Sequence, residues 1–348
     1  MSKIIISPLF EHYMSGRIWM GLDSEAIKKE LIEVYNHEVE LVSFREIVEN
    51  LNNIPHNSSL FYSGSYNKSY LQYIQDTIHL ITVIRPDIHL LPNYEQVRSL
   101  ENKGFQEYLK MICEIQRVRG KYYGDINDLI KDKNKMSFPF VLKLNEGALS
   151  SGVQLINNEE ELLKFQSKLK TKSIKDSIAY RINKFNNFKG DHGLKPISNL
   201  LEQNFIDSFQ KRTQIVTQEF IPGLNCDYKV LVFGDKYYVL RRGIRENDFR
   251  ASGSGKFEWV EAPREVLDYA ENIVNKLKTP FVSLDIGIDI DNNCYLFEYQ
   301  GVAFGPLTLI GSDRYYINKE NQWECIEERS DLEKSYAYAI DYHIKSKA

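Results

Sequence analysis

A small parallel-sheet α/β domain followed by a larger α+β region is the fold class that the sequence predicts, and three observations lead to it. Short apolar runs alternate with helical patterns over residues 3–90, which is typical of parallel strands joined by crossover helices. Strand-like runs dominate from Thr213 to about Ile310. Finally, 348 residues, of which 43% are hydrophobic and 26% charged, are enough for two or three domains with buried cores.

The first predicted domain, residues 1–100, contains the alternating runs. In chain order they are Ile4–Ile6, Ser24–Tyr35, Val39–Val42, Phe44–Leu51, Leu60–Tyr62, Tyr70–Thr77 and Leu80–Ile84. Small residues follow the first and third strands, at Ser7-Pro8, Ser15-Gly16 and Ser63-Gly64-Ser65. Ligands of open α/β sheets bind outside the carboxyl ends of the strands, so these loops are candidate substrate contacts. Ordinary turns are the alternative.

Three further regions follow at residues 101–216, 217–310 and 311–348. The pattern predicts a boundary at 86–102, a helix at Lys103–Gln116, a strand at Phe138–Leu144, and helices at Glu159–Leu169, Ser198–Phe209 and Asp331–Ile344. The polar stretch 170–195 is rich in Asn and Lys and is typical of an insertion or lid.

Charge and cysteine content exclude several classes of protein. The 44 Lys and Arg residues against 48 Asp and Glu residues give a net charge of −4, which argues against a general affinity for nucleic acid or anionic membrane. The four cysteines are scattered without a CxxC pair, so neither a disulfide framework nor a zinc site is expected. The apolar start Ile4–Ile6 is too short for a signal peptide. These features predict a cytoplasmic protein with neither membrane nor nucleic-acid partners.

The strand Phe138–Leu144 carries a lysine in an unusual place. Lys143 projects from the opposite side of the strand to Phe140, Leu142 and Leu144, where an anionic group would explain it. The loop that follows contains four small residues, Gly147, Ser150, Ser151 and Gly152. Such a loop lets backbone N–H groups approach phosphate oxygens closely. A solvent-facing lysine beside a flexible hairpin is the alternative.

A two-residue turn at Gly234-Asp235 predicts a hairpin that brings charges together. Its register places Asp227 opposite Arg242 and puts Lys229 on the same face. Arg242 and Arg250 lie just before a Gly/Ser stretch. Because the planar guanidinium can bind two carboxylate or phosphate oxygens at once, a pair of arginines is suited to stabilising a transition state with several negative charges. A solvated strand face and a basic flexible loop are the alternatives.

A second hairpin, near residue 290, gathers oxygen atoms. The strict alternation of Phe281–Ile290 turns Val282, Leu284, Ile286, Ile288 and Ile290 toward the core, and Asp285 and Asp289 away from it. On the next strand Glu298 and Gln300 share one face, while Tyr295, Phe297 and Tyr299 share the other.

A turn within Asp291–Asn293 places Asp285 beside or opposite Glu298 or Gln300. Like charges that face each other destabilise a sheet, and a divalent cation between them removes that cost. Donors that are all oxygen favour Mg²⁺. Two acids on an exposed sheet face are the alternative.

The order and spacing of these four segments resemble the ATP-grasp superfamily of carboxylate–amine ligases over roughly residues 103–305, and most closely the ribosomal-protein glutamate ligase and glutathione-synthetase-like branch. Arg250 follows Arg242 by eight residues in Asp248-Phe249-Arg250-Ala251-Ser252, as in that branch. The Asp … Glu-x-Asn metal signature appears as Asp285 … Glu298-Tyr299-Gln300. Gln300 and Ser252 stand where the family usually has Asn.

This resemblance implies two α+β lobes that hold ATP between them, the small lobe at 101–216 and the large lobe at 217–310. It implies ATP contacts from Lys103, Lys143, Gly147, Ser150, Ser151, Gly152, Gln218, Glu219, Phe220, Ile221 and Asp227. Arg242 and Arg250 would be catalytic. Asp285, Glu298 and Gln300 would hold Mg²⁺, or Mn²⁺ in its place.

The activity that the resemblance implies is ATP-dependent joining of a carboxylate to an amine through an acyl phosphate, with ADP and phosphate released. The substrates would be small molecules or peptides. Dimers are common among proteins that resemble this one, so a homodimer is among the expected assemblies. Two alternatives remain: an ATP-grasp kinase that phosphorylates a small-molecule hydroxyl, and a nucleotide-binding scaffold without catalysis.

Overall fold

The computed structural model of the chain describes residues 3–17, 20–145, 152–169, 212–224, 226–243 and 255–347. These residues divide into two units. The described residues of 3–119 and 221–347 form the first unit, and those of 120–145, 152–169 and 212–220 form the second.

The first unit begins with an all-parallel sheet, as the alternating pattern predicts. Its elements are strands β1 (Ile4–Ser7), β2 (Tyr13–Arg17), β3 (Met20–Asp23), β4 (Val39–Leu41), β5 (Ser59–Tyr62) and β6 (His89–Leu91) and helices α1 (Ser24–Glu33), α2 (Phe44–Glu49), α3 (Lys68–Ile84), α4 (Tyr94–Ser99) and α5 (Lys103–Ile112), with a 3₁₀ turn at Leu51–Asn53. The strand order is β4–β1–β5–β6, and every pair is parallel. Strands β2 and β3 form a separate antiparallel hairpin.

Three parts of this domain differ from the sequence pattern. Leu80–Ile84, a separate apolar run in the sequence, continues α3, because Ile74, Ile78 and Ile81 recur at helical spacing and are buried in one core. Strand β6 lies instead in the segment expected to be a boundary. Ser15-Gly16, expected in a loop, belongs to β2.

The second unit contains an antiparallel sheet. Its elements are β7 (Gly120–Tyr123), α6 (Ile126–Lys131), a 3₁₀ turn at Lys133–Lys135, β8 (Phe140–Leu144), β9 (Val153–Ile156), helix α7 (residues 159–169) and β10 (Ile215–Glu219). The strand order is β7–β10–β8–β9, and Phe140 and Leu142 lie in its core with Leu129 and Leu162. The insertion at 170–195 and the helix at Ser198–Phe209 lie outside the described residues.

A large antiparallel sheet completes the first unit. It contains β11 (Cys226–Phe233), β12 (Lys236–Gly243), β13 (Phe257–Glu258), β14 (Phe281–Ile288), β15 (Cys294–Gln300), β16 (Tyr315–Lys319) and β17 (Gln322–Ile326), accompanied by helices α8 (Arg264–Leu277), α9 (Leu307–Ile310) and α10 (Leu332–Lys347). The order is β15–β14–β11–β12–β16–β17, and β13 pairs with β12.

Both faces of the large sheet are covered at its centre. On one face Val230, Val282 and Leu284 pack with α8. On the other face Leu231, Phe233 and Phe281 belong to a core shared with α10 and with strands β1 and β5 of the parallel sheet. The parallel sheet and the large sheet are therefore joined through one apolar core within the first unit.

Three features of this region depart from the sequence pattern. Helix α8 interrupts the stretch where strands were expected to dominate, and β16–β17 precede the predicted C-terminal helix in the tail. Ile290 was expected to face the core but is 88% exposed. Strand β14 ends at Ile288, because the Asp289 side chain accepts hydrogen bonds from the N–H groups of Asp291 and Asn293 and so forms the turn.

Within the described part of the chain, none of the helices is both long enough and apolar enough to cross a membrane.

His343, in α10, provides a test of this packing. Burial lowers the pKa of its imidazole from 6.5 to about 4, and Lys347 and His89 add to the effect. Between these pH values the unfolded chain takes up a proton that the folded chain does not. The free energy of unfolding should therefore fall as pH drops from 6.5 to 4, by at most about 3 kcal/mol from this residue.

His343→Gln should lose less stability over the same window, because it removes the titrating group while other groups still titrate in both proteins. Urea denaturation of both proteins between pH 7 and pH 4 measures the difference. Equal losses in the two proteins would contradict the burial of a neutral imidazole at this position.

Candidate functional site

Four charged side chains meet on one face of the large sheet. The turn at Gly234-Asp235 gives the predicted register, in which Asp227 lies opposite Arg242. On its other side β11 pairs with β14, so that Lys229 lies opposite Asp285. Because side chains alternate along a strand, all four project from the same face. The structure confirms the predicted pairing of Asp227 with Arg242.

These side chains form one ionic network. The Arg242 guanidinium donates to both carboxylate oxygens of Asp227, at 2.6 and 2.8 Å, and its Nη2 lies 2.9 Å from Oδ2 of Asp285. Lys229 Nζ donates to Oδ1 of Asp285 at 3.2 Å. We call Asp227, Lys229, Arg242 and Asp285 the ionic cluster. Arg242 thus connects β11, β12 and β14.

The ionic cluster is continuous with the apolar core. The same face carries Leu231 and Phe233 further along β11, and Phe281 further along β14, all in the core beneath α10. Arg242 is only 6% exposed. Charges in such a place are stable only when paired, because burial removes most of their hydration.

Burial and pairing set the protonation of the acids. Burial alone raises the pKa of the Asp285 carboxyl, but the charges of Arg242 and Lys229 outweigh it and hold that pKa well below its ordinary value. Burial also raises the pKa of Asp227, and Arg242 offsets only part of this effect. The two cations thus favour the ionised form of Asp285, which is the form that binds a metal ion.

The hairpin of β14 and β15 brings the predicted metal ligands onto adjacent positions. Asp285 lies directly opposite Glu298, and Gln300 lies two pairs further along on the same face, opposite Ser283. The register then shifts between Asp285 and Ile286, where β15 has an extra residue.

This bulge corrects one prediction. Tyr295 pairs with Gly287 and so lies on the Asp285 face, while Leu296 and Tyr299 are both in the core. The expected grouping of Tyr295, Phe297 and Tyr299 on one face is therefore wrong, because the extra residue changes the alternation between 296 and 298.

Gly287 makes the bulge possible. A Cβ atom at this position would lie 2.6 Å from Cε2 of Phe297, so the ring covers the space that any other side chain would fill. A glycine within a strand often marks a bulge or a close approach of another group. The Asp285-Ile286-Gly287 sequence therefore contained the signal for this feature.

The donor set suits a hard divalent cation. Within the described part of the chain, the half-buried Glu298 and Gln300 form no side-chain hydrogen bond or ion pair, although Glu298 faces another acid across the ladder. Asp285 accepts one contact on each oxygen, and a carboxylate has about four lone-pair sites. No cluster of three His, Cys, Asp or Glu side chains suited to a metal occurs among the described residues. The candidate site therefore consists of two acids, Asp285 and Glu298, and one amide oxygen, that of Gln300.

In the second unit, two predicted ATP contacts share a sheet face. Lys143 pairs with Val216, and Gln218 pairs with Val141, so Lys143 and Gln218 both project away from the core. Gly152 has a φ of +77°, and a Cβ atom there would lie 2.9 Å from the Leu144 side chain. The loop after β8 therefore needs a glycine at its end.

The remaining predicted residues fall into three places. Lys103 is the first residue of α5, in the first unit. A positive charge at the N-terminus of a helix is unfavourable because of the helix dipole, and a bound anion would offset that cost. Glu219 and Phe220 belong to the second unit, and Ile221 to the first. Four predicted residues lie outside the described part of the chain: Gly147, Ser150, Ser151 and Arg250.

Comparison with solved structures identifies the fold. The chain is similar to the N5-carboxyaminoimidazole synthetase of Staphylococcus aureus complexed with ADP, with 11% identity over 98% of this chain and 77% of that one, and a TM-score of 0.52. It is also similar to the ATP-grasp ligase PsnB complexed with a minimal precursor, Mg and ADP, with 11% identity over 99% and 98% of the two chains and a TM-score of 0.51. PsnB complexed with the precursor peptide PsnA2 and AMPPNP gives 12% identity, coverage of 98% and 97%, and a TM-score of 0.50.

The chain has the ATP-grasp fold. No family model matches the sequence, and no curated protein is similar to it at the level of sequence. The likeness is thus one of three-dimensional structure, which confirms the fold expected from the four motifs.

One member of the ionic cluster in this ATP-grasp fold was not among the predicted site residues. The sequence places Lys229 on the face of Asp227 and Arg242, but its partner Asp285 is 56 residues away. No tight turn joins β11 to β14, so their register cannot be counted from the sequence. A lysine two residues after Asp227 was the available signal.

Arg242→Met should lower the free energy of unfolding by about 3–5 kcal/mol, because it leaves the buried Asp227 carboxylate without its bidentate partner. Urea denaturation followed by tryptophan fluorescence measures this. Arg241→Met is the matched control, since Arg241 lies on the other face of β12 and pairs with the exposed Glu258. The control should cost at most about 1 kcal/mol. Equal costs would contradict the special position of Arg242.

Proposed function

We propose that this chain is an ATP-dependent carboxylate–amine ligase. One observation carries the proposal: within an ATP-grasp fold, Asp285 and Glu298 lie opposite each other beside Arg242 and Lys229, so acidic and basic groups are side by side on one sheet face. That arrangement suits a polyphosphate and the divalent cation that accompanies it.

In this proposal Asp285, Glu298 and Gln300 hold Mg²⁺, which when bound neutralises charge on the phosphate oxygens. Lys103 and Lys143 contact the α and β phosphates, and the loop 146–152 covers the β and γ phosphates. Residues 218–221 contact the adenine. The lone pairs of Asp227 that Arg242 does not use accept the ribose hydroxyls.

The reaction needs no nucleophile from the protein. A carboxylate oxygen of the substrate attacks the γ phosphorus, the bond to the β,γ-bridging oxygen breaks, and ADP leaves. The amine nitrogen then attacks the carbonyl carbon of the acyl phosphate, phosphate leaves with the C–O bond pair, and the nitrogen loses a proton. Arg242 and Arg250 stabilise the transferring phosphoryl group and the tetrahedral intermediate. Asp227 holds the Arg242 guanidinium in place for this role.

The acid and the amine are small molecules or peptides. PsnB, whose structure contains a precursor peptide, is the reason to include peptide carboxylates in a substrate screen. The screen measures ADP release with Mg²⁺, ATP and pairs of amino acids or short peptides.

Glu298→Gln should lower turnover in this screen by on the order of 100-fold or more, because it removes the charge of the acid that faces Asp285 while keeping the side-chain volume. Glu324→Gln is the matched control, since Glu324 is an exposed acid on β17 that pairs with Lys319. It should retain the activity of the unsubstituted protein. Full activity of Glu298→Gln would refute the assignment of the metal site.

An acid labelled with ¹⁸O in its carboxylate should transfer one labelled oxygen to the phosphate, since that oxygen joins carbon to phosphorus in the acyl phosphate. Mass spectrometry of the released phosphate measures the label. Unlabelled phosphate would exclude the acyl phosphate. A phosphorylated alcohol without free phosphate would instead establish a kinase, and nucleotide binding without turnover would establish a scaffold.

A further inference from the structure

The ionic cluster balances its own charge. Asp227 and Asp285 carry two negative charges, and Lys229 and Arg242 carry two positive charges, all within 3.2 Å of a partner. A cation that approaches Asp285 therefore meets a carboxylate already neutralised on both oxygens. A phosphate that approaches Lys229 or Arg242 meets cations already in ion pairs. Each ligand alone has to break a partly buried pair before it binds.

The two basic residues are held very differently. Arg242 makes a bidentate contact with Asp227, and its side chain is 7% exposed, so it is fixed between three strands. Among the described residues, Lys229 forms one ion pair, with Asp285 at 3.2 Å, and its side chain is 17% exposed. A lysine ammonium on a flexible four-carbon stem can change partners by rotation, whereas the planar fork of arginine cannot without losing its paired geometry.

We propose that Lys229 is an exchangeable counter-ion of Asp285, which turns to a phosphate oxygen when a polyphosphate binds and so frees Asp285 for the divalent cation. The inference rests on the proposed function, since it assumes that both ligands bind at this site. The nucleotide and the cation then bind cooperatively, because each removes the ion pair that opposes the other.

Lys229→Gln tests the exchange by changing two binding constants in opposite directions. In this variant Asp285 loses one of its two cations. The affinity for Mn²⁺ in the absence of nucleotide, measured by electron paramagnetic resonance, should therefore rise on the order of tenfold above that of the unsubstituted protein. The phosphates of a bound nucleotide also lose a cation. The affinity for the ATP analogue AMPPNP, measured by calorimetry with EDTA present to remove metal ions, should therefore fall on the order of tenfold. Neither measurement depends on turnover.

Two further variants serve as controls. Lys229→Arg keeps the positive charge beside Asp285 and should leave the Mn²⁺ constant within a few-fold of that of the unsubstituted protein. Lys319→Gln removes the same charge from the exposed pair with Glu324 and should change neither constant. If Lys229→Gln weakens both ligands, or changes neither, the exchange is refuted while the proposed function stands. If the unsubstituted protein fails to bind AMPPNP even with Mn²⁺, the proposed function is refuted, and the exchange with it.

Discussion

The contact of one guanidinium with two carboxylates connects three strands of the large sheet at the candidate site. Arg242 binds Asp227 on the neighbouring strand and Asp285 on the strand beyond. The face that carries these charges continues into the apolar core beneath α10, where an unpaired acid would be costly. The pairing therefore stabilises the fold, and the proposed function uses the same side chains. It also leaves Glu298 as the acid on that face without a partner in the described part of the chain.

Local pattern was enough to predict much of this site. The two-residue turn at Gly234-Asp235 fixed the pairing of Asp227 with Arg242, because a tight turn determines every cross-strand neighbour. The turn before Cys294 likewise placed Asp285 beside or opposite Glu298 or Gln300, and the structure pairs it with Glu298. In both cases strands that are adjacent in sequence are adjacent in the sheet. Alternation and turn length are sufficient for the first hairpin, whereas the second also needs the bulge in β15, which brings Glu298 and not Phe297 opposite Asp285.

What the sequence did not predict depends on contacts between distant segments. The pair of Lys229 with Asp285 joins strands separated by helix α8, and no turn sets their register. At the bulge in β15, the Phe297 ring lies over Gly287. A contact of this kind leaves no periodic pattern in the sequence. Helix α8 was absent from the prediction although Val266, Ala270 and Ile273 have helical spacing, because the surrounding strands dominated the pattern.

The parallel sheet and strand β15, which carries Glu298 and Gln300, are in direct contact within the first unit. Directly after Gln300, a Cβ atom at Gly301 would lie 2.1 Å from Oε1 of Gln96, so the chain passes in contact with α4. The Tyr66 hydroxyl, next to the predicted substrate loop Ser63–Ser65, donates to the Ala303 carbonyl at 3.1 Å. A substrate held by that loop would keep a fixed distance from Glu298 and Gln300. Positioning of the attacking carboxylate accounts for much of the catalysis of phosphoryl transfer. In the proposed reaction, this short connection would therefore link the choice of substrate to the position of the reacting phosphate.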